Sequence, residues 1–178
     1  MTDETRVEVA RLRDYVRDVP DFPQPGILFR DITPLLADAG AFRTAVDAMA
    51  APFHGVGTVV AIESRGFILG APIAYALGAG LVPVRKVGRL PAATLSEQYA
   101  LEYGTNTVEI HEDAIQRGER VLLVDDLLAT GGTVGAAAAL VERLGAQIVG
   151  ISVLAELAVL GGRQRLRGHD VRSLIVYD

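Results

Sequence analysis

Apolar residues recur at helical spacing in three stretches of the chain. The three sets are Val9, Leu12, Val16 and Val19; Phe42, Ala45, Val46, Met49 and Phe53; and Val134, Ala137, Ala138, Val141 and Leu144. A repeat of three or four positions places apolar side chains on one face of a helix, so each set predicts an amphipathic helix. Pro20 and Gly145 follow the first and third sets and are expected to end those helices.

Short apolar runs predict strands between these helices. The runs are residues 58–62, 81–85, 107–111, 121–125 and 148–156. Residues 58–62 lack alternation, as in a strand covered on both faces, whereas residues 107–111 alternate like a half-exposed strand. A further helix is expected after residue 62, ending near Leu77. Strands that alternate with helices predict an α/β fold, with a mostly parallel central sheet flanked by helices.

Three features interrupt this periodic pattern. Pro83 cannot donate to a sheet ladder, so we expect an edge or irregular position for strand 81–85. Residues 20–34 contain four prolines and a glycine and predict an ordered loop. Residues 86–104 show no clear periodicity. A structureless segment of that length in a compact domain is usually functional or wrongly assigned.

The composition favours one compact domain. Of 178 residues, 50% are hydrophobic and 22% are charged, which is enough apolar side chain for a core. No repeat, low-complexity tract or linker interrupts the chain. The N-terminal residues carry charge throughout, and no apolar run reaches the length of a membrane span. We therefore expect a cytoplasmic protein without a membrane partner.

Charge and metal-binding residue types exclude several classes of function. The net charge is -5 with no basic stripe, which disfavours a nucleic-acid partner but allows a small anionic substrate. The chain has no cysteine, so disulfides, thiolate zinc sites and cysteine nucleophiles are excluded. Its histidines, His54, His111 and His169, have no ligand spacing, which makes a zinc site improbable.

The segment VLLVDDLLATGGTV, residues 121–134, carries the strongest chemical signal. Ligands of open α/β sheets bind beyond the carboxyl ends of the strands, here at Asp125 and Asp126. Gly131 and Gly132 lack side chains, so backbone N–H groups there can surround an anion. The helix that follows adds free N–H groups and a positive dipole end. The segment therefore predicts a phosphate cradle, with two acids placed to accept from the vicinal hydroxyls of a sugar.

Other phosphate-binding motifs fail on spacing. A Walker loop needs a lysine after its glycines, and none follows Gly131 and Gly132. A dinucleotide fingerprint that began at Gly55 and Gly57 would need a third glycine at position 60, which is Val60. A plain strand-to-helix turn with solvated acids is the structural alternative. The strand, acids, glycines and threonines together favour the cradle. Successive strand residues point to opposite faces, so both acids reach one ribose only if the strand ends by Asp126.

Residues 121–134 resemble the phosphoribosyl-diphosphate (PRPP) signature of type I phosphoribosyltransferases, and DDLLATGGT resembles that of the adenine-specific members. The likeness extends over residues 21–36, 63–74, 82–91 and 101–115. It implies transfer of the 5-phosphoribosyl group from PRPP to adenine, which yields AMP and diphosphate in purine salvage. It also implies Mg²⁺ carried by the diphosphate, and a cytoplasmic homodimer.

The resemblance implies a role for each block. The phosphate and ribose of PRPP would bind to Asp125, Asp126, Ala129, Thr130, Gly131, Gly132 and Thr133. The diphosphate would bind to Ser64, Arg65, Arg85, Lys86 and Arg89, with a cis peptide often preceding the serine. Adenine would bind to Leu28, Phe29, Arg30 and Leu127. The implied catalytic residues are Arg65, Glu102 and Tyr103, with Glu102 as acid–base at the purine nitrogens and Gly104 as a hinge.

We expect residues 1–178 to form a single phosphoribosyltransferase domain. Within it, residues 1–36 or so would form an N-terminal helix and a hood over the base, and residues 86–106 a flexible catalytic loop. Two alternatives are a phosphoribosyltransferase for another purine base and a PRPP-sensing regulator that binds DNA or RNA. The regulator would need a helix-turn-helix extension or a basic face, and the pI near 5.2 disfavours it.

Overall fold

A computed structural model describes residues 8–100 and 105–178 of the chain. They fall into two compact units, residues 1–48 and 49–178. The elements of the first unit are a 3-10 turn (Leu12–Tyr15), strands β1 (Arg17–Pro20) and β2 (Leu28–Asp31), helix α1 (Thr33–Ala37) and all but the last two residues of helix α2 (Ala39–Ala50). The single functional domain expected for residues 1–178 stays a prediction.

A β-hairpin replaces part of the first predicted helix. The helix expected to reach Val19 is wrong beyond Tyr15, because Val16 is extended (φ -99°, ψ 122°) and Val19 pairs with Phe29 across antiparallel strands β1 and β2. Cross-strand pairing here overrides the helical spacing of the valines. The loop expected over residues 20–34 is likewise partly wrong, since it contains β2 and the start of α1.

The second unit is built on a mostly parallel sheet. Among the described residues it has seven strands: β3 (Thr58–Ile62), β4 (Gly80–Lys86), β5 (Thr94–Ala100), β6 (Thr105–His111), β7 (Arg120–Leu128), β8 (Gln147–Leu157) and β9 (Val171–Tyr177). Their order is β5-β6-β4-β3-β7-β8-β9, and only the pairings of β6 with β4 and β5 are antiparallel. The α/β fold predicted from the sequence is confirmed.

Helices and 3-10 segments cover this sheet. They are α3 (Arg65–Leu77), α4 (Gly132–Arg143) and the 3-10 segments Ala158–Leu160 and Gly162–Leu166. Gly70 lets α3 approach β3 closely, because a Cβ at that position would lie 2.5 Å from the Cβ of Ala61. Val134 and Leu140 of α4 belong to the buried core of this unit. Gly145 follows α4 with φ +80°, which confirms the predicted helix end.

The position of Pro83 agrees with the expectation locally but not for the strand as a whole. Strand β4 lies inside the sheet, between β3 and β6, yet Pro83 itself pairs only with Ala61 of β3. The carbonyl of Val84 accepts from the Glu63 N–H of the β3 side, so the backbone of Pro83 faces the opposite side. Strand β6 pairs with β4 only at Arg85 and Lys86, so no ladder bond is lost at Pro83.

Two strands of the second unit were not predicted, in addition to β1 and β2 of the first. The segment 86–106, expected to be a loop, contains β5, which pairs with β6 from Thr94 to Ala100. Glu97 interrupts the alternation of Leu95 and Tyr99, which hides this strand in the sequence. The final strand, β9, pairs parallel with β8 and completes the side of the sheet beyond β7.

Candidate active site

The turn from β7 into α4 forms a small cavity. It has a volume of about 60 Å³ and is lined by Leu127, Ala129, Thr130, Gly131, Gly132, Thr133 and Val134. Gly131 has φ +77° and stands just before the first residue of α4, a backbone conformation that side chains disfavour. The structure thus brings the predicted cradle residues together at a helix N-terminus, where N–H groups and the dipole favour an anion.

Asp125 and Asp126 are both buried beside this cavity, and β7 continues past them to Leu128. The expected strand end at Asp126 is therefore wrong. Their carboxyls nevertheless both lie against the start of α3, because Arg65 Nε is 2.8 Å from Asp126 Oδ2. A Cβ on Gly66 would lie 2.9 Å from Asp125 Oδ1. The first turn of α3 and the end of β7 are therefore in direct contact.

The two aspartates are electrostatically linked. Asp125 Oδ1 accepts the Asp126 backbone N–H at 2.9 Å. Burial, and then the charge of Asp126, raise the pKa of Asp125 well above its ordinary value. Burial also raises the pKa of Asp126, although the Arg65 guanidinium opposes this. Such a pair holds a proton more readily than two solvated carboxylates, and its two titration steps belong to the pair rather than to either residue.

The turn between β3 and α3 holds two of the five predicted diphosphate residues, Ser64 and Arg65. The peptide between Glu63 and Ser64 is cis, as the resemblance implies. Ser64 is exposed and stands directly before α3, while Arg65 is the first residue of that helix. Because Arg65 contacts Asp126, the predicted diphosphate turn and the predicted ribose acids are joined directly.

Glu63 binds all three residues of the predicted basic cluster, a role of Glu63 that the sequence did not predict. Its Oε1 accepts from Arg89 Nη1 at 2.6 Å and from Arg85 Nη2 at 3.3 Å, while Oε2 accepts the Lys86 backbone N–H at 3.0 Å. Burial raises the pKa of Glu63, but these donors outweigh it and hold the pKa below its ordinary value. The sequence gives no local pattern for these contacts, because Arg85 and Arg89 lie 22 and 26 positions from Glu63 in the chain.

Glu109 fixes the loop that carries Arg89. It was expected on the exposed face of an alternating strand, yet it is only 4% exposed, so that expectation is wrong at this position. Its Oε1 accepts the backbone N–H groups of Arg89 and Leu90, each at 2.9 Å, and Oε2 accepts from Thr94 at 3.3 Å. A carboxylate with these donors is stable inside the protein because its lone pairs are satisfied.

The predicted adenine residues lie on β2 in the first unit. Leu28 is 45% exposed. Phe29 meets Phe22 edge to face, with ring centroids 5.2 Å apart, and Arg30 forms an ion pair with Asp18. The fourth predicted adenine residue, Leu127, lines the cavity at the end of β7.

The predicted catalytic pair Glu102 and Tyr103, and the predicted hinge Gly104, lie outside the described residues. Strand β5 leads towards them, and its Tyr99 was not singled out by the sequence. The Thr133 hydroxyl donates to the Tyr99 hydroxyl at 3.0 Å. This bond ties β5 to a residue of the predicted phosphate cradle.

Comparisons with known proteins decide the family. Residues 36–176 match the phosphoribosyl transferase domain family. An adenine phosphoribosyltransferase of Thermotoga neapolitana is 56% identical over 93% of this chain and 99% of its own. One from Desulfitobacterium hafniense is 57% identical over 92% of this chain and 95% of its own. The chain belongs to the adenine phosphoribosyltransferase family.

Solved structures of this family agree with the fold. The adenine phosphoribosyltransferase of Rhodothermus marinus superposes with a TM-score of 0.92 at 50% identity, covering 96% of this chain and 99% of its own. The Saccharomyces cerevisiae enzyme, complexed with an imino-altritol bisphosphate and adenine, has a TM-score of 0.89 at 39% identity, covering 94% and 98%. Within residues 8–100 and 105–178, no helix is long and apolar enough to cross a membrane.

Proposed function

We propose that the chain transfers the 5-phosphoribosyl group of PRPP to adenine, which yields AMP and diphosphate. The observation that carries the proposal is the contact between Arg65 and Asp126. It places the diphosphate turn at the start of α3 beside the phosphate cradle at the start of α4. A ligand with phosphates at both ends of a ribose matches that arrangement.

The cradle would hold the 5-phosphate of PRPP. Its donors would be the backbone N–H groups around Gly131 and Gly132 and the hydroxyl of Thr130, with Thr133 lining the same cavity. The neighbouring acids would bind the vicinal ribose hydroxyls. Both acids are buried, and their carboxylate oxygens would accept hydrogen bonds from those hydroxyls.

The basic groups would stabilise the leaving diphosphate. The bond from ribose C1 to the diphosphate breaks as an adenine nitrogen bonds to the same carbon, so negative charge grows on the diphosphate. Preorganised cations near that charge lower the barrier. Arg65 would act from the start of α3 with the backbone of Ser64, and Arg85, Lys86 and Arg89 from the segment held by Glu63.

Magnesium would accompany the diphosphate. The donors present fit this ion, which prefers one or two carboxylates, substrate phosphates and several waters to an all-protein cage. Because Asp125 and Asp126 are assigned to the ribose hydroxyls, the ion would be carried by the diphosphate and would keep several of its waters. When bound, magnesium would neutralise part of the charge on the leaving group.

Base recognition and proton transfer would come from other segments. Phe29 offers an aromatic surface for adenine, and the backbones of Leu28 and Arg30 offer edge hydrogen bonds. Leu127 would add an apolar contact. Glu102 would exchange a proton with the purine, assisted by Tyr103, since a carboxyl shielded from water can reach a useful pKa.

The active form would be a homodimer. Helix α3 carries large apolar side chains in water, with Tyr75 90% exposed and Ile68 45% exposed. They are seven positions apart, so they share one face of the helix, and Leu81 after it is also exposed. An apolar face of this kind is typical of an interface between subunits.

The setting proposed is purine salvage in the cytoplasm, without nucleic-acid or membrane partners. Residues 1–178 would act as one catalytic unit, with the N-terminal segment as the hood over the base and 86–106 as the catalytic loop. The net charge of -5 agrees with a small-molecule substrate rather than a polyanion.

Replacing both acids tests the assignment. We expect Asp125→Ala with Asp126→Ala to lower AMP formation about 100-fold or more, because lost positioning alone can cost that much. The control is Asp113→Ala, an exposed acid after β6. Activity of the double variant near that of the control would contradict the site.

Competition among adenine, hypoxanthine, guanine and xanthine tests the specificity for the base. A preference for any base but adenine would contradict the proposed specificity.

A further inference from the structure

A 3-10 segment far along the chain packs directly on the predicted phosphate cradle. A Cβ added to Gly131 would lie 2.5 Å from the carbonyl oxygen of Gly162. Conversely, a Cβ on Gly162 would overlap the carbonyl oxygen of Ala129 and lie 3.0 Å from the Gly131 nitrogen. The backbones of the two segments are therefore in contact without side chains between them, and a shift of one forces a shift of the other.

The residue after Gly162 anchors this segment to the sheet. Arg163 Nε donates to both carboxylate oxygens of Glu156, at 2.7 and 2.9 Å. Its two other nitrogens donate to the Val171 carbonyl at 2.9 Å and to the Ser173 hydroxyl at 3.1 Å. The Ser173 hydroxyl in turn donates to Glu156 at 2.6 Å. One guanidinium thus joins β8, β9 and the 3-10 segment.

The residue types suit such an anchor. The planar guanidinium presents five donors in a fixed geometry, which a flexible ammonium cannot reproduce. Glu156 is only 4% exposed and faces this guanidinium from the end of β8. A buried carboxylate is tolerated where it is paired and hydrogen-bonded, which stabilises the contact between Glu156 and Arg163. The contact ties Arg163, the residue after Gly162, to β8 and β9.

We propose that Glu156 and Arg163 are positioning residues for the phosphate cradle. They act through the contact between Gly162 and the backbone of Ala129 and Gly131. Because the cradle binds with backbone N–H groups, its affinity depends on where the backbone lies. Small displacements of binding groups are costly in positioning-dependent reactions. The proposal rests on the proposed function, since it assigns the cradle to the 5-phosphate of PRPP.

Kinetics of matched variants test the proposal. We expect Arg163→Met to raise the KM for PRPP about tenfold, with less than a twofold change in the KM for adenine. Arg163→Lys keeps the charge without the fork and should fall between Arg163→Met and wild type. The control is Arg172→Met, because Arg172 also pairs with an acid, Asp170, on the exposed surface. A uniform loss of stability would not separate the two KM values.

A second variant acts on the contact itself. Gly162→Ala keeps the Arg163–Glu156 pair but pushes against the Ala129 carbonyl, so it should also raise the KM for PRPP selectively. Its control is Gly135→Ala, whose added Cβ meets only Leu166 Cδ2 at 3.9 Å. If Arg163→Met does not fold, Gly162→Ala and Arg163→Lys decide the matter. An unchanged KM for PRPP in both would overturn the proposal.

Binding of ribose 5-phosphate separates this proposal from the function on which it rests. The sugar phosphate should raise the Tm of the wild type and of Arg172→Met, and raise that of Arg163→Met much less. Equal shifts in all three proteins, with AMP formed by the wild type, would overturn the positioning role alone. A wild type that neither binds ribose 5-phosphate nor forms AMP would overturn the proposed function and this proposal together.

Discussion

Three carboxylates with little solvent exposure hold irregular segments of the backbone against the sheet. Glu63 and Glu109 each accept several donors from residues at least 15 positions away, while Glu156 accepts from Arg163, seven positions away, and from Ser173. For each of them, burial raises the pKa, but the hydrogen-bond donors lower it by more than burial raises it. The pKa therefore lies below the ordinary value. Each carboxylate therefore stabilises the folded protein in its charged form.

The pH dependence of folding at Glu109 follows from that direction. A lowered folded-state pKa adds stability above the ordinary value of 4.5 and loses it as the pH falls through the folded-state pKa. Glu109→Gln should cost roughly 2 kcal/mol near pH 7 and flatten this part of the acid dependence. Thermal unfolding of the wild type and the variant between pH 3 and 7 measures both the loss of stability and its dependence on pH. The control is Glu112→Gln, because Glu112 is exposed. An acid dependence equal to that of wild type would contradict the assignment.

The elements of the site differ in how visible they are in the sequence. The cradle was predictable because strand, acids, glycines and helix are contiguous over residues 121–134. The link from Glu63 to Arg85 and Arg89 was not, because the sheet register brings those residues together. The same is true of Gly162 beside Gly131, since no local pattern encodes a contact between distant backbones.

Close packing of α3 on β3 gives a prediction for an element. Gly70→Ala would place a Cβ 2.5 Å from Ala61 Cβ, and relieving that overlap should cost about 1–3 kcal/mol. Gly135→Ala has room on α4 and should stabilise the protein by up to about 1 kcal/mol through helix propensity. Denaturant unfolding of both variants checks the contrast. A Gly70→Ala variant as stable as Gly135→Ala would contradict the close approach.

At the scale of the whole molecule, assembly is predicted from the exposed face of α3. Tyr75→Asp should shift the protein towards monomers, because burying a charge at an apolar interface is costly. Val159→Asp serves as the control, since Val159 is also apolar and 75% exposed but lies after β8. Sedimentation velocity measures the mass. A Tyr75→Asp variant with the wild-type mass would show that this face is not the interface.

The stoichiometry of the products tests whether the protein transfers a phosphoribosyl group to adenine. The wild-type protein is mixed with PRPP, Mg²⁺ and labelled adenine, and AMP and diphosphate are measured over time. We expect both products to form in equal amounts, and neither to form when adenine is omitted. Diphosphate release without AMP, or no product at all, would contradict it.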